Sequence, residues 1–147
     1  MEFNFRCDCP FTSALDILGD KWMLVIVKQM LTEDKVTFKD FVNSDEAIAT
    51  NILSNKLKIL EELGLIEKTQ RPNNKKTNLY LLTEEGLGLA PLLVELASWS
   101  DQHLRRLHPS ILDGEGMKMM RKDKTAFALF LQKNYRAKLT ALKGATE

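Results

Sequence analysis

Two sets of residues in this 147-residue chain have types and spacing suited to chemistry. The first is Cys7-Asp8-Cys9, which holds both of its cysteines. A thiolate there is a nucleophile that oxidants and electrophiles attack. The second runs through residues 50–76 and collects Thr50, Asn51, Ser54, Asn55, Lys58, Arg71, Asn74, Lys75 and Lys76. Asparagine pairs bidentately with adenine, serine and threonine meet base edges or phosphate, and lysine reaches guanine or phosphate. That mixture is suited to a DNA duplex. No Ser/His/Asp set, phosphate loop or carboxylate pair stands out, so the chain is not expected to be an enzyme or to need a cofactor. His103 and His108 lie far from the cysteines without a ligand spacing, which argues against a metal site.

Positioning these residues requires a helix and a hairpin. Leu53, Leu57, Leu60 and Leu63 recur at spacings of four and three, which predicts a helix over 50–63 with one apolar face. Gly64 is its natural stop. The opposite face then carries Thr50, Asn51, Ser54, Asn55 and Lys58. Asn51, Ser54 and Asn55 are the candidates to read bases, and Thr50 and Lys58 to hold the backbone, because most contacts go to phosphate. Residues 65–71 and 77–82 have strand propensity, and the loop 72–76, with Lys75 and Lys76 at its tip, fits a hairpin.

Around this unit the chain reads as a succession of helices. Residues 1–9 form an arm in which Phe3 and Phe5 alternate with polar residues. Pro10 and Thr12 open a helix that Gly19 ends. A largely buried helix is expected over 21–31, since Trp22, Leu24, Val25, Ile26, Val27 and Met30 leave few polar positions. Residues 36–38 read as a short extended stretch, after which Thr37 caps a small helix carrying Phe41 and Val42. Thr83-Glu84-Glu85 caps a long helix over 83–106, in which Pro91 must kink the helix or mark an early break. Residues 113–116 read as a linker, and 123–142 as a further amphipathic helix with Phe127, Phe130, Leu131, Tyr135, Leu139 and Leu142 apolar.

Composition sets the frame. At 44% hydrophobic the chain can bury a core, and its length suits one domain or a domain with an appendage. A net charge of +1 does not announce a nucleic-acid binder. Its distribution does more: residues 49–82 hold six basic against three acidic residues, and 109–147 hold eight against four. Local patches decide where a phosphate backbone docks. Two cysteines cannot frame a fold, which makes a reducing cytoplasm the expected compartment. No apolar run is long enough to span a membrane, and the N-terminus lacks the apolar core of a signal peptide.

The order helix, helix, short strand, helix, helix, hairpin, helix describes an α+β, mainly helical chain of winged helix-turn-helix type with a two-stranded wing. Particular residues extend this. Cys9-Pro10 precedes the first helix and Gly19-Asp20-Lys21-Trp22 leads the second. Phe38 and Phe41 sit in the short helix, and Leu53-Ser54-Asn55-Lys56-Leu57 in the helix expected over 50–63 is followed by Leu60-Glu61-Glu62-Leu63-Gly64-Leu65-Ile66. Pro72 stands in the wing, which Tyr80-Leu81-Leu82-Thr83-Glu84-Glu85-Gly86 closes. Over residues 7–106 the chain resembles the HxlR-type winged helix-turn-helix regulators of bacteria, relatives of the MarR group.

The resemblance implies a homodimeric, double-stranded-DNA-binding transcription factor, repression being favoured over activation, without enzymatic activity. It implies an arm at 1–9, a DNA-binding domain over 10–108 that includes a dimerisation helix, and a C-terminal helical extension over 109–147. N- and C-terminal helices would form the dimer. The wing would lie along the backbone or enter the minor groove. Two recognition helices would meet successive major grooves, about 34 Å apart, on a near-palindromic operator. Cys9 matches a position where members of the family carry a sensing cysteine, with Cys7 beside it and Arg6 and Lys21 as candidates to lower its pKa. An oxidant or small molecule would be the effector. Three features depart from the family pattern. Ala49 stands where a Ser-like cap is usual, leaving Thr50 to cap. Lys75-Lys76-Thr77 replaces further wing prolines, and the tail beyond residue 109 exceeds the family's usual core. At the thiol site, in addition, no cysteine follows Cys9. Two other readings compete: a protein–protein adaptor that kept the winged fold, and a thiol redox enzyme that lacks the usual CxxC.

Overall fold

A computed structural model describes residues 1–145. The chain divides into two compact units, Met1–Gly86 and the residues from Leu87 onward.

The first unit opens with α1 (Pro10–Leu18), whose proline occupies the first turn as expected. None of its residues is buried, and Phe11 and Leu15 lie exposed, as does Phe5 of the preceding arm. Next comes α2 (Met23–Glu33), which buries Met23, Ile26, Val27, Met30 and Leu31. Its start is held by Asp20, whose Oδ1 accepts from the amides of Trp22 at 2.6 Å and Met23 at 2.9 Å. The expected extended stretch at 36–38 is not a strand. It contributes one carbonyl, that of Val36, to the amide of Tyr80 at 2.7 Å. Thr37 instead caps α3 (Phe38–Val42) through a capping box with Asp40.

Helix α4 (Thr50–Glu62) buries Leu53, Leu57 and Leu60, as their spacing requires. Thr50 does not cap it. Ala49 occupies the N-cap position and makes no side-chain bond, so Thr50 is already helical and its hydroxyl is left for other use. Ala47, just upstream, adopts a positive φ of 54°. The wing is β1 (Ile66–Arg71) paired antiparallel with β2 (Asn74–Leu82). The turn is tighter than the sequence suggested. Arg71 lies opposite Asn74 and Gln70 opposite Asn78, so Lys75, Lys76 and Thr77 bulge out of β2 between the paired positions. Lys75 and Lys76 therefore lie within β2 but have no cross-strand partners.

At the base of the wing, Thr83 Oγ1 donates to the Gly64 carbonyl at 2.6 Å and accepts from the Gly86 amide at 3.1 Å. Gly64 has φ +75°, and a Cβ at Gly86 would stand 2.1 Å from the Leu65 carbonyl oxygen. Both positions therefore need glycine. Ile66, Leu79, Leu81 and Leu82 enter the core, with α3 and α2 packed on β2.

The long helix expected over 83–106 is two helices. Short α5 (Glu84–Leu87) ends before α6 (Ala90–His103), and Pro91 sits in the first turn of α6, where its missing N–H costs nothing. The second unit also holds α7 (Glu115–Lys122), which begins inside the linker expected at 113–116 and fills a stretch to which the sequence reading assigned no element. Met117 and Met120 give α7 its apolar contacts. The last helix is α8 (Lys124–Ala145), longer than 123–142. Val94, Met120 and Ala128 form this unit's core, with Ala97, Met117, Phe127 and Leu131 around them. The extension thus covers one side of α6 and leaves Leu92, Leu96 and Trp99 exposed on another. Among the described residues no helix is long and apolar enough to cross a membrane.

Candidate nucleic-acid interface and thiol site

Burying Leu53, Leu57 and Leu60 fixes the rotation of α4 about its axis. Thr50, Asn51, Ser54, Asn55 and Lys58 are consequently all exposed on it. Lys56, on the same helix, is committed elsewhere: its Nζ lies 2.9 Å from Asp20 Oδ2. Partial burial pushes the Asp20 carboxyl up, but Lys56 and the amides of Trp22 and Met23 outweigh it and hold it below the usual carboxylate range. One side chain thus ties the start of α2 to α4. The segment before α4 is held by Gln29, fully buried, which donates from Nε2 to Glu46 Oε1 at 3.0 Å. Neither Gln29 nor Asp20 was visible as a positioning group in the sequence. A polar residue inside an apolar helix was the only signal.

From Glu67 to Gln70 the first wing strand is exposed on both faces, as are Asn74, Lys75 and Lys76 on the second. The hairpin therefore projects from the core. Asn74 is partly spent on shaping it: Oδ1 accepts from the Lys76 amide and Nδ2 donates to Thr77 Oγ1, both at 3.3 Å. Arg71 is half-buried at the turn. Lys76 faces α3, where it lines a groove of about 730 Å³ with Thr37, Phe38, Lys39 and Tyr80. A second groove, of about 360 Å³, joins Ser54 and Lys58 of α4 to Lys68 of β1, beside Glu61 and Glu62. Lys39 and Lys68 are basic neighbours of the site that the sequence reading missed, because spacing along the chain does not reveal which strand face meets which helix.

Cys7 and Cys9 are both exposed in the arm. Cys9 is the N-cap residue of α1. The amide and hydroxyl of Thr12 and the amide of Phe11 favour its thiolate and lower the thiol pKa. Neither of the cations expected to do this is responsible. Arg6 is engaged by Asp16, its Nε 2.5 Å from Oδ1 and its amide 3.0 Å from Oδ2. Lys21 sits over the Trp22 ring, 5.1 Å from the centroid. Among the described residues no group of His, Cys, Asp and Glu could hold a metal ion.

Known proteins resemble the chain over the same stretch. The model of the HxlR-like helix-turn-helix family matches residues 17–108. The HTH-type transcriptional regulator YvaP of Bacillus subtilis is 33% identical over 106 residues, covering 71% of this chain and 94% of its own. The HTH-type transcriptional regulator YodB of the same organism is 30% identical, covering 64% and 84%. YodB in reduced form superposes with a TM-score of 0.53 at 29% identity, covering 66% of this chain and 95% of its own, and YodB is also known in quinone-bound form. The reduced redox regulator HypR shares the fold with a TM-score of 0.58 at 24% identity, covering 69% and 99%.

Proposed function

Because the chain belongs to the HxlR-like helix-turn-helix family and is a transcriptional regulator with a DNA-binding winged helix-turn-helix fold, we propose that it acts in the cytoplasm as a homodimer on a near-palindromic operator, as a repressor. One observation carries the reading. The apolar side of α4 is buried, and the exposed residues include two asparagines, a serine, a threonine and a lysine. Asn51, Ser54 and Asn55 read base edges in the major groove, and Thr50 and Lys58 hold phosphate. Lys75 and Lys76 on the projecting wing meet the backbone or minor groove, with Arg71 and Asn74 shaping the turn that presents them.

The domain division that goes with this is an arm at 1–9, a DNA-binding domain with its dimerisation helix at 10–108, and an extension at 109–147. Exposed apolar residues support a dimer. Leu92, Leu96 and Trp99 fall at helical spacing on α6, and Phe5, Phe11 and Leu15 cluster in sequence near the N-terminus. Modification of Cys9 by an oxidant or a small electrophile switches operator affinity. The exposure of Cys9 and the groups favouring its thiolate support this, as does the likeness to YodB, which is known quinone-bound.

Fluorescence anisotropy tests the reading: the full chain is titrated against DNA from its own upstream region at graded salt. Tight binding that weakens with salt and exceeds binding to random DNA is expected. Salt-insensitive or absent binding to any duplex would favour the adaptor reading.

A further inference from the structure

The second thiol, Cys7, has no role in the reading above. The chain around it is short and pinned at both ends to the same helix. At one end the Arg6 amide and Nε bond to the two oxygens of Asp16 on α1, at 3.0 and 2.5 Å. That carboxylate is itself only 9% exposed, although the Arg6 side chain that meets it is 69% exposed. At the other end the Cys9 carbonyl accepts from the Ser13 amide at 2.9 Å. Between the two anchors residues 6–8 form a continuous bend, and both thiols face solvent.

Two trans peptide steps place Cα atoms at most roughly 7 Å apart, and a bend shortens that. A disulfide needs about 4.4–6.8 Å between Cα atoms, so an i, i+2 pair in a bent segment lies within reach. Two anchors on one helix also keep the thiols from drifting apart, which reduces the entropy lost on joining them. No other cysteine exists in the chain to compete for the bond.

Resting on the reading of Cys9 as the sensing thiol, we propose that Cys7 is its resolving partner within the same chain, so that peroxide converts the arm to a Cys7–Cys9 disulfide. In the first step the Cys9 thiolate attacks one oxygen of a hydroperoxide. The S–O bond forms and the O–O bond breaks. Cys9 is oxidised by two electrons to the sulfenic acid, and the departing peroxide oxygen takes a proton from solvent and leaves as water or an alcohol. In the second step the Cys7 sulfur attacks the Cys9 sulfur. The S–S bond forms, the S–O bond breaks, and the departing hydroxide leaves as water with the Cys7 proton. Sensing thiols are often set beside a resolving one for this reason: the sulfenic acid is consumed before further oxidation makes the change irreversible. The closed ring ties Cys7 to the N-cap residue of α1, passing the oxidation state to the start of that helix.

The test treats the full-length protein with stoichiometric hydrogen peroxide and reads intact mass and non-reducing gels, with and without dimedone, a trap for sulfenic acid. The expected result is loss of two hydrogens from the monomer, no dimedone adduct, and reversal by a thiol reductant. A Cys7→Ser variant should instead accumulate the dimedone adduct at Cys9. An Arg6→Ala variant, which keeps both thiols, should form the disulfide several-fold more slowly. A stable dimedone adduct in the unaltered protein would overturn the pairing while leaving Cys9 as the sensor. A covalent dimer between chains would likewise overturn it. No oxidation of either cysteine would remove the sensing reading as well.

Discussion

Asp101 on α6 accepts two parallel hydrogen bonds from Arg121 on α7, Nε to Oδ2 and Nη2 to Oδ1, each at 2.8 Å. The same carboxylate also accepts from Arg105 Nε at 2.7 Å, and Arg121 reaches Asp113 at 2.7 Å. Arg105 further donates to the carbonyls of Ile111 and Leu112. A single aspartate thereby gathers the turn after α6 and the start of the extension. Residues 113–116 read as a plain linker, yet the geometry of two arginines makes this junction a fixed corner.

Those arginines hold the Asp101 carboxyl well below the usual carboxylate range, Arg121 contributing most. A group whose folded pKa is depressed stabilises fully above its unfolded value, about 3.9 for aspartate, and loses that contribution as pH falls through the folded value. Acidification below about pH 4 should therefore loosen α7 from α6. An Asp101→Asn variant should resemble the acidified protein already at neutral pH. Hydrogen exchange across 113–122 should show faster exchange in that variant, and no difference between pH 7 and pH 5 in the unaltered protein once intrinsic rates are corrected.

The two wing lysines should not behave alike, since Lys76 lines the groove against α3 and Lys75 does not. Each alanine variant should weaken binding to all DNA sequences and lower the salt slope by about one. Lys76→Ala should additionally perturb the groove it shares with Phe38 and Lys39. Asn51→Ala and Asn55→Ala should change preference among operator variants by about 1–3 kcal/mol, with the salt slope kept. Anisotropy titrations at several salt concentrations separate the two patterns. Equal losses on every sequence for the asparagine variants would place those residues on phosphate instead.

Cys9 should react with iodoacetamide faster at pH 7 than a thiol of ordinary pKa, because Thr12 and Phe11 favour its thiolate. A Thr12→Ala variant removes the hydroxyl, so its alkylation profile should shift to higher pH. Arg6→Ala should leave that profile in place, as Arg6 faces Asp16. A shift in Arg6→Ala and none in Thr12→Ala would reverse the assignment.

Three substitutions test the scaffold beneath the interface. Leu57→Ala should cost about 2–5 kcal/mol in chemical unfolding, the usual range for a buried leucine. Gly86→Ala should destabilise the base of the wing, since its Cβ would stand 2.1 Å from the Leu65 carbonyl oxygen. Ala47→Gly should be neutral or stabilising, because φ +54° is strained for alanine by about 1 kcal/mol. Loss of stability in Ala47→Gly would show that the turn before α4 depends on the alanine side chain.

The sequence by itself determined which face of α4 is apolar, because four leucines at helical spacing leave one way to bury them. Helices α1 to α4, the two-stranded wing, the glycine stop at Gly64 and the cap at Thr37 were legible for the same reason: each rests on residues within a few positions of one another. What depended on distant residues was not. Whether 36–38 becomes a strand depended on what β2 offered it, and only the Tyr80 amide met the Val36 carbonyl. The tightness of the wing turn was settled by the pairing of Arg71 with Asn74 across the hairpin, which left Lys75 and Lys76 in a bulge of β2 instead of in the loop. Asp20 on Lys56, Asp16 on Arg6 and Asp101 on Arg121 join residues 36, 10 and 20 positions apart. Charge alone could not assign those partners, since any of several cations satisfies a carboxylate until folding brings one within hydrogen-bond reach.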